Sequence, residues 1–405
     1  MSPSNRNLVS TVDLERAVTL VMQMLAIAGP SGQEQKIIRF ISTRLRRAGV
    51  AISAIKTDQA HRSSTIGGQI GNLIVKLSAS PDMSRYPRRM LCAHVDTVPL
   101  CVGCKPLRRS SRIVSADPTT ALGADNRAGA TVLLWTVQHI LKYKLPHPPL
   151  TFLWPVQEEV GLQGARYVNL AMLGRPNLAF NFDGGSSASL AIGATGAYSM
   201  TIHIEGIAAH AGMHPDHGVS AITIVGLAIA SLQRNGWLGQ IHKRGALGGR
   251  GTSNIGNIEA AGATNVVCRH VRITAEARSD DRRFRKRILV AISKALHDAA
   301  DRVRNIAGAS GKVTITHQLD YESFLLKKNE PCVKAAEAAI HHLGLSPKCI
   351  RVAGGFDANW LHAHGVAAVT LGSGMESPHT VHETLNLYDF QQSCRIALLL
   401  ATDAG

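Results

Sequence analysis

Apolar positions recur at helical spacing from Val18 to Ala28, behind the polar residues Asp13, Glu15 and Arg16, and this predicts an amphipathic helix near the start of the chain. A second helix is predicted in PSGQEQKIIRFISTRLRRAG, where Ser31 and Glu34 stand three apart as a capping box and Gly49 ends the run. From Gly71 the texture changes to short apolar runs, GNLIVKL, RRMLCAHV, LTFLWPV and NLAFNFD, with the helical stretch NRAGATVLLWTVQHILKYK between the second and third. Strands alternating with helices predict an α/β domain whose sheet is mixed but largely parallel and flanked by helices.

Near Gly196 the pattern shifts again. YSMTIHIEG reads as an alternating strand, GVSAITIVGLAIASLQRNGW as a helix, and TSNIGNIEA and HVRITAEARS as strands. DDRRFRKRILVAISKALHDAADRVRNIAG reads as a long helix and KVTITHQL as a last strand, with the Gly-rich GALGGRG as a loop. This is the α+β split βαβ order, and it predicts an inserted domain over 196–319. A helix at Cys332 to Leu343, strands near CIRVAGG and AAVTLGSG, and a final helix then rejoin the first sheet. The expected organisation is one discontinuous domain, 1–195 and 320–405, interrupted by the insert.

Length and composition agree with two domains. At 405 residues the chain exceeds the ~150 of a single domain, and 45% apolar against 18% charged residues supply a core rather than disorder. The charge of +16, from 44 Lys plus Arg against 28 Asp plus Glu, raises nucleic acid as a partner. No reader motif accompanies it, and 4% aromatics leave few stacking platforms, so a basic nucleic-acid-binding protein is only a distant alternative. Arg282, Arg283, Arg285, Lys286, Arg287, Lys294, Arg302 and Arg304 crowd the long helix of the insert and read as a solvated face.

Seven cysteines are too sparse to staple a fold and fit reduced thiols in the cytoplasm, Cys101 and Cys104 of CVGCKP reading as incidental loop cysteines. The N-terminal apolar stretch lacks the layout of a signal peptide, and the run from Ala221 to Leu232 is short of the about 20 residues of a membrane span. No membrane partner is expected.

Metal-competent side chains gather at predicted strand ends. LCAHVDTVP places His94 and Asp96 at one, VQEEVG places Glu158 and Glu159 at a second, and NFDGG places Asp183 at a third. LGADNRAG adds Asp125 before a helix, and SPHTVHE adds His379 and His382. In an open α/β sheet these carboxyl ends form one crevice. Carboxylates this dense repel one another unless cations neutralise them. Histidine and carboxylate donors without thiolate suit zinc, with manganese or cobalt as substitutes, and the set is large enough for two ions sharing a carboxylate. The strand period of two puts Asp96 on the side of His94, placed to orient its imidazole. Of Glu158 and Glu159, neighbours that point apart in extended backbone, one can ligate while the other takes a proton.

With HVDTV, GADNRAG, EEVG, DGG and GGFDAN, the chain resembles the dinuclear zinc exopeptidase and deacylase family that includes peptidase T, carboxypeptidase G and succinyl-diaminopimelate desuccinylase, its texture nearest the peptidase T branch. The resemblance runs from PSGQE to HTVHETLNLYDF. It implies that His94, Asp125 and Asp183 hold one zinc and that Asp125, Glu159 and His379 hold the other. It also implies that Glu158 is the general base and that Asp96 orients His94. His379 is chosen over His382 because the family places its ligand four residues before a glutamate, here Glu383.

The insert resembles the family's lid and dimerisation domain, which implies a homodimer. There His210 would stabilise the oxyanion, and Asn265 and Arg278 would help hold the substrate. His203, His214 and His217 are expected to be surface or structural histidines. Asn126 stands where many members have a second acid, and Asn359 where carboxypeptidase-like members have an arginine. The implied activity is metal-dependent hydrolysis of an amide bond in small peptides, as an aminopeptidase or tripeptidase, through a water bridging two zinc ions per subunit. An N-acyl amino acid amidohydrolase or a carboxypeptidase is the alternative on the same centre.

Overall fold

The computed structural model describes residues 13–245 and 248–402, and the chain divides into two compact units. The first comprises Met1–Ala194 and Leu325–Gly405, the second Thr195–Phe324. The second unit runs past 319 because its last strand continues to Tyr321.

In the first unit the strands are Ile55–Thr57 (β1), Leu73–Leu77 (β2), Arg89–Cys92 (β3), Pro106–Arg109 (β4), Arg112–Ser115 (β5), Leu150–Trp154 (β6), Leu178–Phe182 (β7) and Ser189–Ala194 (β8). The order β1-β2-β6-β3-β7 holds a parallel centre, β6, β3 and β7, which Ala368–Leu371 (numbered β16 below) extends in parallel beyond β7. β2 pairs antiparallel at one side and β8 at the other, which makes the sheet mixed. β3 and β6 are buried throughout and β7 in all but its first residue, as parallel strands covered on both faces must be. Helices Leu14–Leu25 (α1), Gln35–Arg47 (α2) and Ala124–Tyr143 (α3) lead the set, and α1 and α3 pack together with the closing helix, Leu387–Thr402.

The second unit holds Gly196–Glu205 (β9), Ala221–Arg234 (α4), Gly239–Lys243 (β10), Gly249–Ala260 (β11), His270–Ser279 (β12), Arg282–Arg302 (α5) and Lys312–Tyr321 (β13). Its sheet runs β10-β11-β12-β9-β13, antiparallel in every pairing. Inward residues of the sheet, such as Ile202, Ile204 and Ile273, meet Ile224, Ala228, Ile288 and Ile292 of the two helices in one apolar core. The expected split βαβ order is present with one strand more. β10 is a polar edge strand with a single buried residue, Ile241, too short and exposed to show an apolar period. The end of the Gly-rich stretch, Gly249 to Gly251, is strand rather than loop.

The remaining elements belong to the first unit or its border: Phe324–Leu325 (β14), Pro331–His342 (α6), Lys348–Val352 (β15), Asp357–Ala363 (α7), Ala368–Leu371 (β16), Met375–Glu376 (β17), Thr384–Asn386 (β18) and Leu387–Thr402 (α8). β17, β18, β5 and β4 form a separate four-stranded sheet that the sequence patterning misses, since its strands are two to four residues long and largely polar.

Two further expectations differ from the structure. Ser31 and Glu34 do not form a capping box. α2 starts at Gln35, with Glu34 at its N-cap position making no side-chain cap bond, and both side chains are turned to other partners. Arg285 is not on a solvated face. It is fully buried, donating to the carbonyl of Ser279 and to the carboxylate of Glu322.

Candidate metal centre

β6, β3 and β7 are adjacent and parallel, so their carboxyl ends share one edge of the sheet. His94 lies two residues beyond β3, Asp183 one residue beyond β7, and Glu158 and Glu159 in the turn after β6. The fourth contribution is the start of α3, where Asp125 and Asn126 have non-helical dihedrals and the peptide bond between them is cis. Asn126 donates to the carbonyl of Phe182, the last residue of β7, and accepts from the amide of Gly129. A Cβ on Gly129 would lie 2.1 Å from that same carbonyl, so only glycine lets the helix approach the strand end this closely. His379 comes from the loop between β17 and β18.

These side chains converge on Asp125. Its Oδ1 is 3.2 Å from His94 Nε2, and its Oδ2 is 3.3 Å from His379 Nε2. Asp183 Oδ1 is 3.5 Å from His94 Nε2, and Glu159 Oε2 is 2.8 Å from His379 Nε2. His94 thus faces Asp125 and Asp183, and His379 faces Asp125 and Glu159, so the two histidines have one carboxylate in common. Glu158 stands aside: its Oε2 is 3.9 Å from His94 Nε2, and among the described residues no group hydrogen-bonds to its carboxylate.

Asp96 does more than the strand period indicates. It lies 3.3 Å from His94 Nδ1, and it also accepts the backbone amides of Glu158 (2.9 Å) and Glu159 (3.1 Å) and the hydroxyl of Ser31 (2.7 Å). One buried carboxylate faces the histidine and holds both glutamates by their backbone amides. Glu34 accepts the amides of Gly32 and Gln157, anchoring the turn that presents the glutamates. Glu383, which in the sequence marks only the register of His379, is buried and accepts the amides of Gly123 and Asp125. Asp357 is buried with neither carboxylate oxygen hydrogen-bonded, and burial lifts its pKa well above the carboxylate range, with His94 opposing and Asp183 and Asp96 adding. Gln157 and His379 hold left-handed backbone, at φ 56° and 64°.

The electrostatics are those of a site built for cations. Burial raises Glu158 well above its ordinary pKa and Glu159 to about 7, neighbouring acids adding to both. Asp125 is driven the other way: burial would raise it, but hydrogen bonds from His379 and His94 hold it low. Hydrogen bonds to Asp125 and Glu159 carry His379 up to about 10. Glu159 Oε1 is buried without a hydrogen-bond partner, an oxygen that folding leaves unsatisfied. Imidazole nitrogens and carboxylate oxygens with an orphaned ligand atom fit divalent transition metals.

In the second unit, His210 accepts the amides of Gly212 and Met213 on Nδ1, which places the ring proton on Nε2. Asn265 is paired to the same loop through its backbone, its carbonyl accepting the amide of Ala211. Arg278 makes a forked contact with Glu276, at 3.0 and 2.9 Å. His203, His214 and His217 are exposed. In the first unit, Asn359 is buried and its side-chain oxygen accepts the amide of Phe356, which makes it part of a local turn. His382 is exposed. Cys101 and Cys104 are buried, and burial pushes both thiols up, well above the ordinary thiol range for Cys101 and to about 11 for Cys104.

Two family models match the chain: peptidase family M28 over residues 72–211, and a peptidase dimerisation domain over residues 192–304. The chain is similar to Uncharacterized protein YqjE of Bacillus subtilis strain 168, with 26% identity over 395 residues, covering 97% of this chain and 100% of that protein. Among solved structures it is similar to a tripeptidase from Staphylococcus aureus, with TM-score 0.84 and 28% identity over 96% of this chain and 99% of the other. It is also similar to aminopeptidase PepT from Bacillus cereus, with TM-score 0.82 and 28% identity over 97% and 99%. No described helix is long and apolar enough to cross a membrane.

Proposed function

We propose that this chain, which belongs to the metal-dependent exopeptidase and deacylase family that includes peptidase T, is an aminopeptidase that hydrolyses the first amide bond of small peptides such as tripeptides. The observation that carries this reading is the carboxylate of Asp125, with one oxygen toward His94 and the other toward His379. His94, Asp125 and Asp183 would hold one ion, and Asp125, Glu159 and His379 the other. The donor chemistry favours zinc, with manganese and cobalt as substitutes. When bound, such a pair lowers the pKa of a water toward about 7 and polarises the scissile carbonyl.

The protein's own groups do the rest. Glu158, its carboxylate without a hydrogen bond among the described residues and raised in proton affinity, takes the proton of the attacking water and returns it to the leaving amine. Asp96 holds Glu158 and Glu159 by their backbone amides, so base and ligand keep a fixed relation. His210 would stabilise the oxyanion through Nε2–H, since its Nδ1 is already committed as an acceptor. Asn265 supports the loop of His210 through its carbonyl, and Arg278, as the family resemblance implies, would help hold the substrate. The matched dimerisation model, together with Ile222 and Leu227 exposed on α4, supports a homodimer formed through the second unit.

The test is peptide release from free tripeptides and from their N-acetylated forms, alongside N-acetyl and N-succinyl amino acids, before and after chelation. Cleavage of free tripeptides that chelation stops and zinc restores is expected. Hydrolysis of the acylated amino acids alone would assign the centre to a deacylase instead.

A further inference from the structure

The loop that carries His210 has a second set of metal donors that the reading above leaves unused. His214, Asp216 and His217 are exposed, and each offers one ligand atom within 4.8 Å of the others. The two imidazole rings lie face to face, with centroids 4.9 Å apart and planes at 15°. Asp216 and His217 follow Pro215 in a short 3-10 turn, so the donors sit at spacings of two and three residues on tightly wound backbone.

That backbone is fixed before any ion arrives. Ile207 and Val219 exchange both hydrogen bonds at the base of the loop, at 2.9 Å each. The amide of His214 bonds to the carbonyl of His210 at 2.9 Å, and the amide of His217 to the carbonyl of His214 at 3.2 Å. From the turn after α5, Ile306 donates its amide to the carbonyl of Asp216, and Asn305 Nδ2 donates to the carbonyl of His217. These bonds anchor the backbone, while among the described residues the three side chains take part in none of the loop's hydrogen bonds or ion pairs.

We propose that His214, Asp216 and His217 form an exchangeable site for a divalent transition-metal ion such as zinc, nickel or copper, separate from the buried centre of the first unit. Tetrahedral ligands at about 2.0–2.1 Å from zinc stand about 3.4 Å apart. The three ligand atoms already lie within 4.8 Å of one another on exposed side chains, about 1.4 Å wider than that spacing. Two imidazoles and a carboxylate leave one position for water, and their exposure makes the ion exchangeable where the buried set would be slow. Imidazole donors favour zinc, nickel and copper over magnesium or calcium.

The test is a metal count on tag-free protein dialysed to equilibrium against micromolar free Zn2+. Wild type is expected to hold one ion more per chain than the double variant His214→Asn, His217→Asn. The comparison is a difference, so it stands whatever the first unit binds and separates failure of this site from failure of the buried one. Because the substituted residues are exposed, the variant should fold, and an unchanged circular dichroism spectrum and melting curve verify that. A second arm adds Cu2+ to zinc-loaded protein, and imidazole nitrogen couplings in the electron spin resonance spectrum are expected in wild type and lost in the double variant. Equal metal counts, or copper couplings that persist in the variant, would overturn the proposal.

Discussion

Glu383 accepts the backbone amide of Asp125 at 2.9 Å across 258 positions of chain, and so ties the shared carboxylate to the turn that also delivers His379. Its other oxygen takes the amide of Gly123 at 2.6 Å. Glutamine at 383 would turn one of those oxygens into a donor facing a donor. Glu383→Gln is expected to weaken metal affinity by about 10- to 100-fold, the usual cost of losing a group that orients a ligand. Competition with a chromogenic chelator measures it.

Glu158 and Glu159 are neighbours with different surroundings, and their variants should separate. Glu158→Ala is expected to lower kcat by about 100-fold or more while leaving bound metal nearly unchanged. Asp125→Ala should lose metal, because it faces both histidines. Metal analysis beside single-substrate kinetics distinguishes the two, and substantial turnover in Glu158→Ala would remove that residue from the mechanism.

Acid should weaken the first unit through His139. Its ring lies between Trp135 and Tyr143, at centroid distances of 4.8 and 4.5 Å, and burial, helped by Lys142 and Arg16, presses its pKa down to about 4. An unfolded histidine titrates near 6.5. As pH falls from about 6.5 to about 4 the unfolded chain takes up a proton that the native state refuses, so stability present above 6.5 declines across that window. His139→Phe keeps an aromatic ring there and should reduce the loss, read as the difference in urea midpoint between pH 7 and pH 5.

In the second unit two arginines three positions apart should behave unlike each other. Arg285 is buried and bonded to Ser279 and Glu322, and its removal is expected to cost about 3 kcal/mol. Arg282 is exposed, and Arg282→Ala should change stability by no more than about 0.5 kcal/mol. Chemical unfolding of both variants checks the contrast.

Periodicity and motif order carried the reading a long way, and where they stopped there is a physical reason. The alternation of apolar runs and helices marks β3, β6 and β7, and a ligand group at each strand end follows from the shared direction of parallel strands. Ser31 and Glu34 have the spacing of a capping box, but local spacing cannot register a carboxylate brought in from position 96 or an amide from position 157. Glu383 was legible only as a marker of register, since its work is done on backbone amides that carry no sequence signal. The small sheet beside His379 has strands too short and too polar to show a period.

The left-handed backbone at Gln157 and His379 places a burden on the chain's history. Each costs about 1–2 kcal/mol that glycine would recover. At 379 that relief removes a metal-competent side chain, and at 157 it removes the amide that donates to the carbonyl of Gly67. Selection for heat resistance alone would drift toward glycine at both positions and arrive at a sturdier, inert protein. A hardened version of this fold that still works must therefore find its extra stability elsewhere, in the helices and the second unit's core, and leave these two turns tense.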